Sequence, residues 1–289
     1  MAFGGNPVFA NDKNFSNRPP QYQGAAPQAY PQGYPGAPAQ GYAQPGQMYS
    51  PDQLQQMYNQ PPASNAQMGR MTVDDVIIKT FVTLLLVLVG AGLGWVFPVL
   101  MLPGVIVGLV LGLVNSFKRE PSKVLILSYA LFEGMFLGGL SGLLERLYSG
   151  IVIQAVLGTL IVFALTLVLY RSGKFRATPK TTKFFMIALG GYAIFSLVNF
   201  GLMIFNVTDQ PWGLRSVEVF GIPLGVIIGI LAIGLAAFSL MLDFTSIDQG
   251  VKNGVPAKYS WSAAFGLTVT LVWLYVEILR LLAILRGND

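Results

Sequence analysis

The chain has 289 residues, of which 53% are hydrophobic and only 11% charged, and it carries a net charge of +5. It contains no cysteine and no histidine, which excludes disulfides, thiolate or imidazole metal sites, histidine-ligated haem and any Ser-His or Cys-His catalytic unit. The basic residues cluster between apolar runs, where they set topology, so the composition is that of a membrane protein and not of a nucleic-acid binder.

Residues 1–70 are rich in Pro, Gly, Gln, Ala and Tyr. Such a tract cannot bury enough apolar surface to offset the entropy of ordering. It reads as a disordered cytoplasmic tail ahead of a membrane domain at 71–289. A solvated tail is the plainer reading, and a sticky Tyr/Gln-rich arm for protein partners is the alternative. Residues 1–20 lack the apolar core of a cleaved signal, so the first span is expected to direct insertion itself.

Thr72 suits a helix cap, and Asp74 and Asp75 suit the positive end of the helix that follows. No charge occurs from Thr80 to Val114, a run too long for one straight crossing, and Pro98 and Pro103 interrupt it. Two spans, about 77–97 and 101–116, are expected there. Lys118, Arg119 and Lys123 form a basic loop. Further spans are expected at about 123–144, 151–170, 184–205, 220–243 and 262–285, with Thr178-Pro179 a helix start ahead of the fifth. The fold class is therefore all-α, a seven-helix transmembrane bundle.

Setting aside Lys13 and Arg18 of the tail, only Arg146, Arg215, Arg280 and Arg286 of the 18 Lys and Arg fall on one side of that topology. The other twelve fall with the N-terminus, which is therefore cytoplasmic, and Asp289 lies outside. Small residues recur every fourth position at Gly104, Gly108 and Gly112, at Gly134, Gly138 and Gly142, and at Gly221, Gly225 and Gly229. They favour close helix packing in one monomeric bundle.

Several membrane chemistries fail on single residues, and no enzyme activity is expected. Gly139-Leu140-Ser141-Gly142 matches a rhomboid-protease serine motif but has no histidine base. The last span has no lysine for a retinal Schiff base. Gly90-Ala91-Gly92-Leu93-Gly94 lies within an apolar span, not after a soluble strand, so it is no nucleotide loop. Asn206-Val207-Thr208 is a glycosylation sequon of a kind common by chance.

What remains is carboxylates in apolar surroundings, where an ionisable group costs at least about 2.5–3.5 kcal/mol. Glu133 reads equally as a neutral or bonded structural carboxyl and as a proton or cation ligand. Asp243 is placed near the inner end of the sixth span, and Asp248 beyond it in solvent. Glu277 stands three residues before Arg280, so a local ion pair is its plain explanation.

The sixth span closes on Leu242-Asp243-Phe244 and the seventh on Glu277-Ile278-Leu279-Arg280-Leu281-Leu282. With Tyr129-Ala130-Leu131-Phe132-Glu133-Gly134, the stretch 105–121 and the run Thr268 to Tyr275, this order resembles the Bax inhibitor-1 family in its bacterial, YccA-like branch. The resemblance covers about 71–286. It implies a central helix surrounded by the others, and a calcium leak controlled by pH through carboxylates on the sixth and seventh helices. The first of these carries over to Asp243. The second aligns with Thr270, while Glu277 lies about 22 Å along its helix from Ser262. Glu277 shares a face with Thr270 and would act at another level.

The resulting expectation is a pH-sensitive cation leak channel or exchanger in the bacterial plasma membrane, without a cofactor. Ca2+ and H+ are the candidate transported ions. Asp243 governs the cytoplasmic gate and is the candidate Ca2+ ligand. Glu133 and Glu277 are deeper polar stations, and Lys118 and Arg119 pair with ionised Asp243. The alternative is a non-conducting adaptor that modulates other membrane proteins, such as a protease or a stress complex.

Overall fold

The computed structural model describes residues 65–287 apart from 67, 174–177, 206, 208, 209 and 211. Most of the proposed tail, Lys174, Arg176, the sequon residues Asn206 and Thr208, Asp209 and Asp289 lie outside the described residues.

Among the described residues, seven helices are long and apolar enough to cross a membrane. They are α1 (Val73–Val96), α2 (Met101–Phe117), α3 (Lys123–Leu147), α4 (Ile151–Arg171), α5 (Pro179–Ile204), α6 (Leu224–Lys252) and α7 (Ser260–Arg286). Local chemistry sets their ends. The Thr72 hydroxyl accepts from Asp75 N at 3.1 Å at the start of α1. Pro98 opens a 3-10 turn to Leu100 between α1 and α2, whereas Pro103 falls in the first turn of α2, where no intrahelical N–H is needed. Glu145 accepts from Gly150 N (2.6 Å) and Val152 N (3.0 Å), capping α4 with a carboxylate at its positive end. Thr178 and Thr181 form a reciprocal cap ahead of Pro179.

Two boundaries differ from expectation. The sixth span does not end at Asp243: α6 continues nine residues to Lys252. Thr245 and Ser246 bond back to the Met241 and Leu242 carbonyls, both at 2.8 Å, so polar side chains continue the helix after the apolar run ends. Asp248 is thus on α6, paired with Lys252 at 2.6 Å, and not in a loop. Gly221 is also not helical. It forms, with Phe220, the turn of a small antiparallel hairpin between β1 (Glu218–Val219) and β2 (Ile222–Pro223).

α7 is the centre of the bundle. It packs against α6, α1, α4 and α3, and 56% of its apolar window is buried against 6% for α5. α1 and α3 form the closest seam. A side chain at Gly90 or Gly94 would overlap the Leu131 or Met135 carbonyl, and one at Gly134 or Gly138 would overlap the Val87 or Ala91 carbonyl. The α1 glycines are thus the packing partners of the α3 stripe. At one end of the bundle Met71 N donates to Val255 O at 2.7 Å, and Lys79 and Lys123 flank the Trp261 ring at 5.4 and 5.5 Å. Lys258 pairs there with exposed Glu120 at 2.8 Å.

Candidate functional site

The α6–α7 interface carries two carboxylates at two levels. Asp243, on α6, has no exposed surface. The hydroxyl of Thr270, on α7, donates to its Oδ2 at 2.7 Å and also lies 3.2 Å from the Gly266 carbonyl of its own helix. A hydroxyl with two acceptors in reach can change its bond without moving its backbone. Further buried hydroxyls lie on the same half of α7, including Thr268, whose Oγ1 is 2.9 Å from Thr83 Oγ1 of α1.

Glu277 lies seven residues further along α7, about 10 Å at 1.5 Å per residue, and is 1% exposed. Its Oε1 accepts from Arg280 at 2.7 Å and from the Tyr192 hydroxyl of α5. Its Oε2 faces the Arg215 guanidinium at 3.5 Å. Arg215 also donates to Tyr192 Oη at 3.2 Å and to Ser196 Oγ at 3.3 Å. Its guanidinium lies 5.7 Å from the centres of both the Tyr192 and Phe195 rings.

Arg215 therefore does not sit in solvent with the rest of a polar loop. It is 3% exposed, because the α5–α6 connection turns inward. A 3-10 turn over Gly213–Ser216 carries it, Leu214 N donates to Asn199 Oδ1 at 2.7 Å, and Asn199 Nδ2 donates to Trp212 O at 3.3 Å. Gly213 adopts φ +61, and a Cβ there would stand 2.6 Å from Asn199 Oδ1. A sequence signal for this burial exists. Tyr192, Ser196 and Asn199 form one polar stripe on the otherwise apolar α5, and such a stripe asks for a polar partner.

Glu133 belongs to a different seam. A Cβ at Gly108 of α2 would stand 2.9 Å from its Oε2, so the carboxyl fills the α2–α3 contact. No hydrogen bond or ion pair engages it among the described residues. Lys118 and Arg119 are exposed at the end of α2, and neither forms an ion pair among the described residues. The structure thus brings Asp243 to Thr270 and holds Glu277 apart at its own level. It places Glu133 on the α2–α3 side and leaves Lys118 and Arg119 at the surface. No group of three or more Asp and Glu side chains among the described residues could hold a metal ion, so Asp243 is not part of a carboxylate cage.

The sequence of the chain matches the family described as Bax inhibitor 1 like, over residues 6–287. The chain belongs to that family. The match begins within the tail, well ahead of residue 71, where the resemblance was expected to begin. No curated protein matches the chain. For a Bax inhibitor 1-like protein with seven spanning helices, the natural surroundings are a lipid bilayer, and the many exposed Leu, Ile, Val and Phe side chains of α1, α2, α4 and α5 are its lipid-facing surface.

Proposed function

We propose that this protein is a pH-sensitive cation leak channel or exchanger, with Ca2+ the candidate ion, in the bacterial plasma membrane with its N-terminus in the cytoplasm. The observation that carries the reading is the Asp243–Thr270 contact. A carboxyl group with no exposed surface joins α6 to the central helix through a hydroxyl that has a second acceptor in reach.

A carboxylate only accepts hydrogen bonds, whereas a protonated carboxyl also donates. Proton uptake at Asp243 therefore reverses or releases the Thr270 bond, and the hydroxyl turns to Gly266. That changes the α6–α7 contact and removes one charge from the bundle core. Lys118 and Arg119 serve as partners only in a state that uncovers Asp243. Glu133 and Glu277 act away from this switch, at the α2–α3 seam and further along α7.

The test is Ca2+ entry into sealed liposomes containing the purified protein, followed across a pH series. Asp243→Asn keeps the side-chain size and a Thr270 acceptor, and it is expected to abolish most of the pH dependence of flux. An Asn variant with the parent's pH profile would sink the assignment of the switch. Absence of protein-dependent flux at every pH would favour the non-conducting adaptor reading instead.

A further inference from the structure

We propose that Arg215 is a latch that closes the bundle against cations at the end bearing the α5–α6 connection, and that α5 is the element it ties down. The inference rests on the leak reading for what passes through; the closure itself stands on separate observations.

The first is the way the arginine is delivered. The Gly213–Ser216 turn is pinned from both flanks, by Asn199 on α5 and by Leu224 N donating to Val217 O at 2.7 Å at the start of α6. Gly225 leaves room for it, since a Cβ there would meet Arg215 O at 2.9 Å and Arg215 Cβ at 3.1 Å. One side chain, the Asn199 amide, and one backbone hydrogen bond thus hold the turn that sets the Arg215 guanidinium inside the bundle.

The second is charge. Arg215 and Arg280 face the single carboxylate of Glu277, with the neutral Tyr192 and Ser196 hydroxyls beside them, which leaves one net positive charge at this level. A cation moving along α7 from the Thr270 level meets that charge in a low-dielectric interior, where repulsion is weakly screened. With Arg215 withdrawn, Glu277 and Arg280 balance and the barrier falls.

The third is that the latch can release. Arg215 Nη1 and Glu277 Oε2 stand 3.5 Å apart, beyond hydrogen-bond range, and neither atom has a hydrogen-bond partner among the described residues. Coulomb attraction holds this pair, with two hydrogen bonds to α5. α5 has little else to hold it. Beyond these polar contacts it meets the bundle mainly where Phe185 lies 4.9 Å from Phe238 and the Tyr192 ring lies 5.7 Å from Trp273.

The experiment uses a reporter cysteine in this cysteine-free chain. Ser239, on α6 one turn before Asp243, is 4% exposed and lies deeper than the latch. The Ser239→Cys protein in nanodiscs is treated with a quaternary-ammonium methanethiosulfonate, and with an anionic sulfonate reagent of similar size as control. With Arg215 in place labelling should be slow. Arg215→Gln should accelerate the cationic reagent about tenfold or more, the effect of losing roughly 1.4 kcal/mol of closure, and Arg215→Lys should fall between. Asn199→Ala unpins the turn without touching the buried charges and should give a smaller acceleration, so it decides the matter if Arg215→Gln does not fold. Parent-like labelling in the folded variants, or fast labelling with Arg215 present, would overturn the latch. Ca2+ flux is read separately: faster labelling without Ca2+ passage keeps the latch and removes the leak reading.

Discussion

Asp243 and Glu277 are both carboxylates buried between α6 and α7, and the partners seen at each are of different kinds. Asp243 accepts from the hydroxyl of Thr270, which has the Gly266 carbonyl in reach as a second acceptor. Glu277 is gripped by two guanidiniums and a phenol, from α5, the α5–α6 turn and its own helix. The difference separates a tie from a switch. Removing the Glu277 carboxylate would leave the Arg215 and Arg280 charges unmatched. The Asp243–Thr270 bond can be remade within the reach of one side chain.

The largest expected effect on stability is therefore at Glu277. Removing one partner of a buried ion pair costs about 3–5 kcal/mol, because the other charge is left without compensation. Glu277→Ala should show the greatest loss of thermal stability in detergent among the variants proposed here. A melting temperature equal to that of the parent would mean that the grip is not structural. In flux measurements the gentler Glu277→Gln should change the rate or selectivity while leaving the midpoint of the pH response in place. A shift in that midpoint would show that the two levels titrate as one pair.

Thr270→Val comes next. The swap keeps the shape and removes the donor to Asp243, and a hydrogen bond to a charged group contributes about 1.5–3 kcal/mol. Because Thr270 and Asp243 touch, the effects of Thr270→Val and Asp243→Asn should be non-additive in unfolding measurements. Thr270→Val and Glu277→Ala should instead add. Strong coupling across the two levels would break the distinction between them.

Much of the fold was legible because membrane insertion imposes strong rules on sequence. The charge-free run broken at Pro98, the Thr72 and Thr178 caps and the fourth-position glycines of α2 and α3 each have a local physical cause and appear where expected, whereas Gly221 falls in the hairpin turn ahead of α6. α6 was less legible beyond Asp243. Once Thr245, Ser246 and Asp248 follow, hydropathy stops reporting helix, although hydroxyls bonded to the preceding turn continue it. That extension is why Asp243 is in the core and not at an inner surface. The separation of Asp243 from Glu277 was readable from helix rise, whereas Thr270 was pointed to by the family resemblance and not by geometry. Arg215 was legible from neither. Charge counting assigns a loop arginine to solvent, and only the Tyr192, Ser196 and Asn199 stripe shows that α5 has a polar partner to receive.

The smallest expected effect sharpens the contrast by moving the same chemistry to the surface. Lys258 donates to Glu120 at 2.8 Å, much as Arg280 does to Glu277 at 2.7 Å, yet both members of the first pair are exposed. The Lys258 hydrogen bond and charge hold the Glu120 carboxyl below its ordinary value of 4.5. A carboxyl lowered on folding contributes stability above its unfolded value and loses it as pH falls through the folded value. The parent should therefore exceed Glu120→Gln only slightly in melting temperature at neutral pH, and the two should converge on acidification below the ordinary Glu range. Solvent and salt screen an exposed pair, so the difference should also shrink at high ionic strength. The Glu277→Ala deficit should persist there, because no salt reaches a carboxylate that is 1% exposed. Equal salt sensitivity of the two deficits would show that the Glu277 level is open to solvent, and the closed state assigned to Arg215 would fall with it.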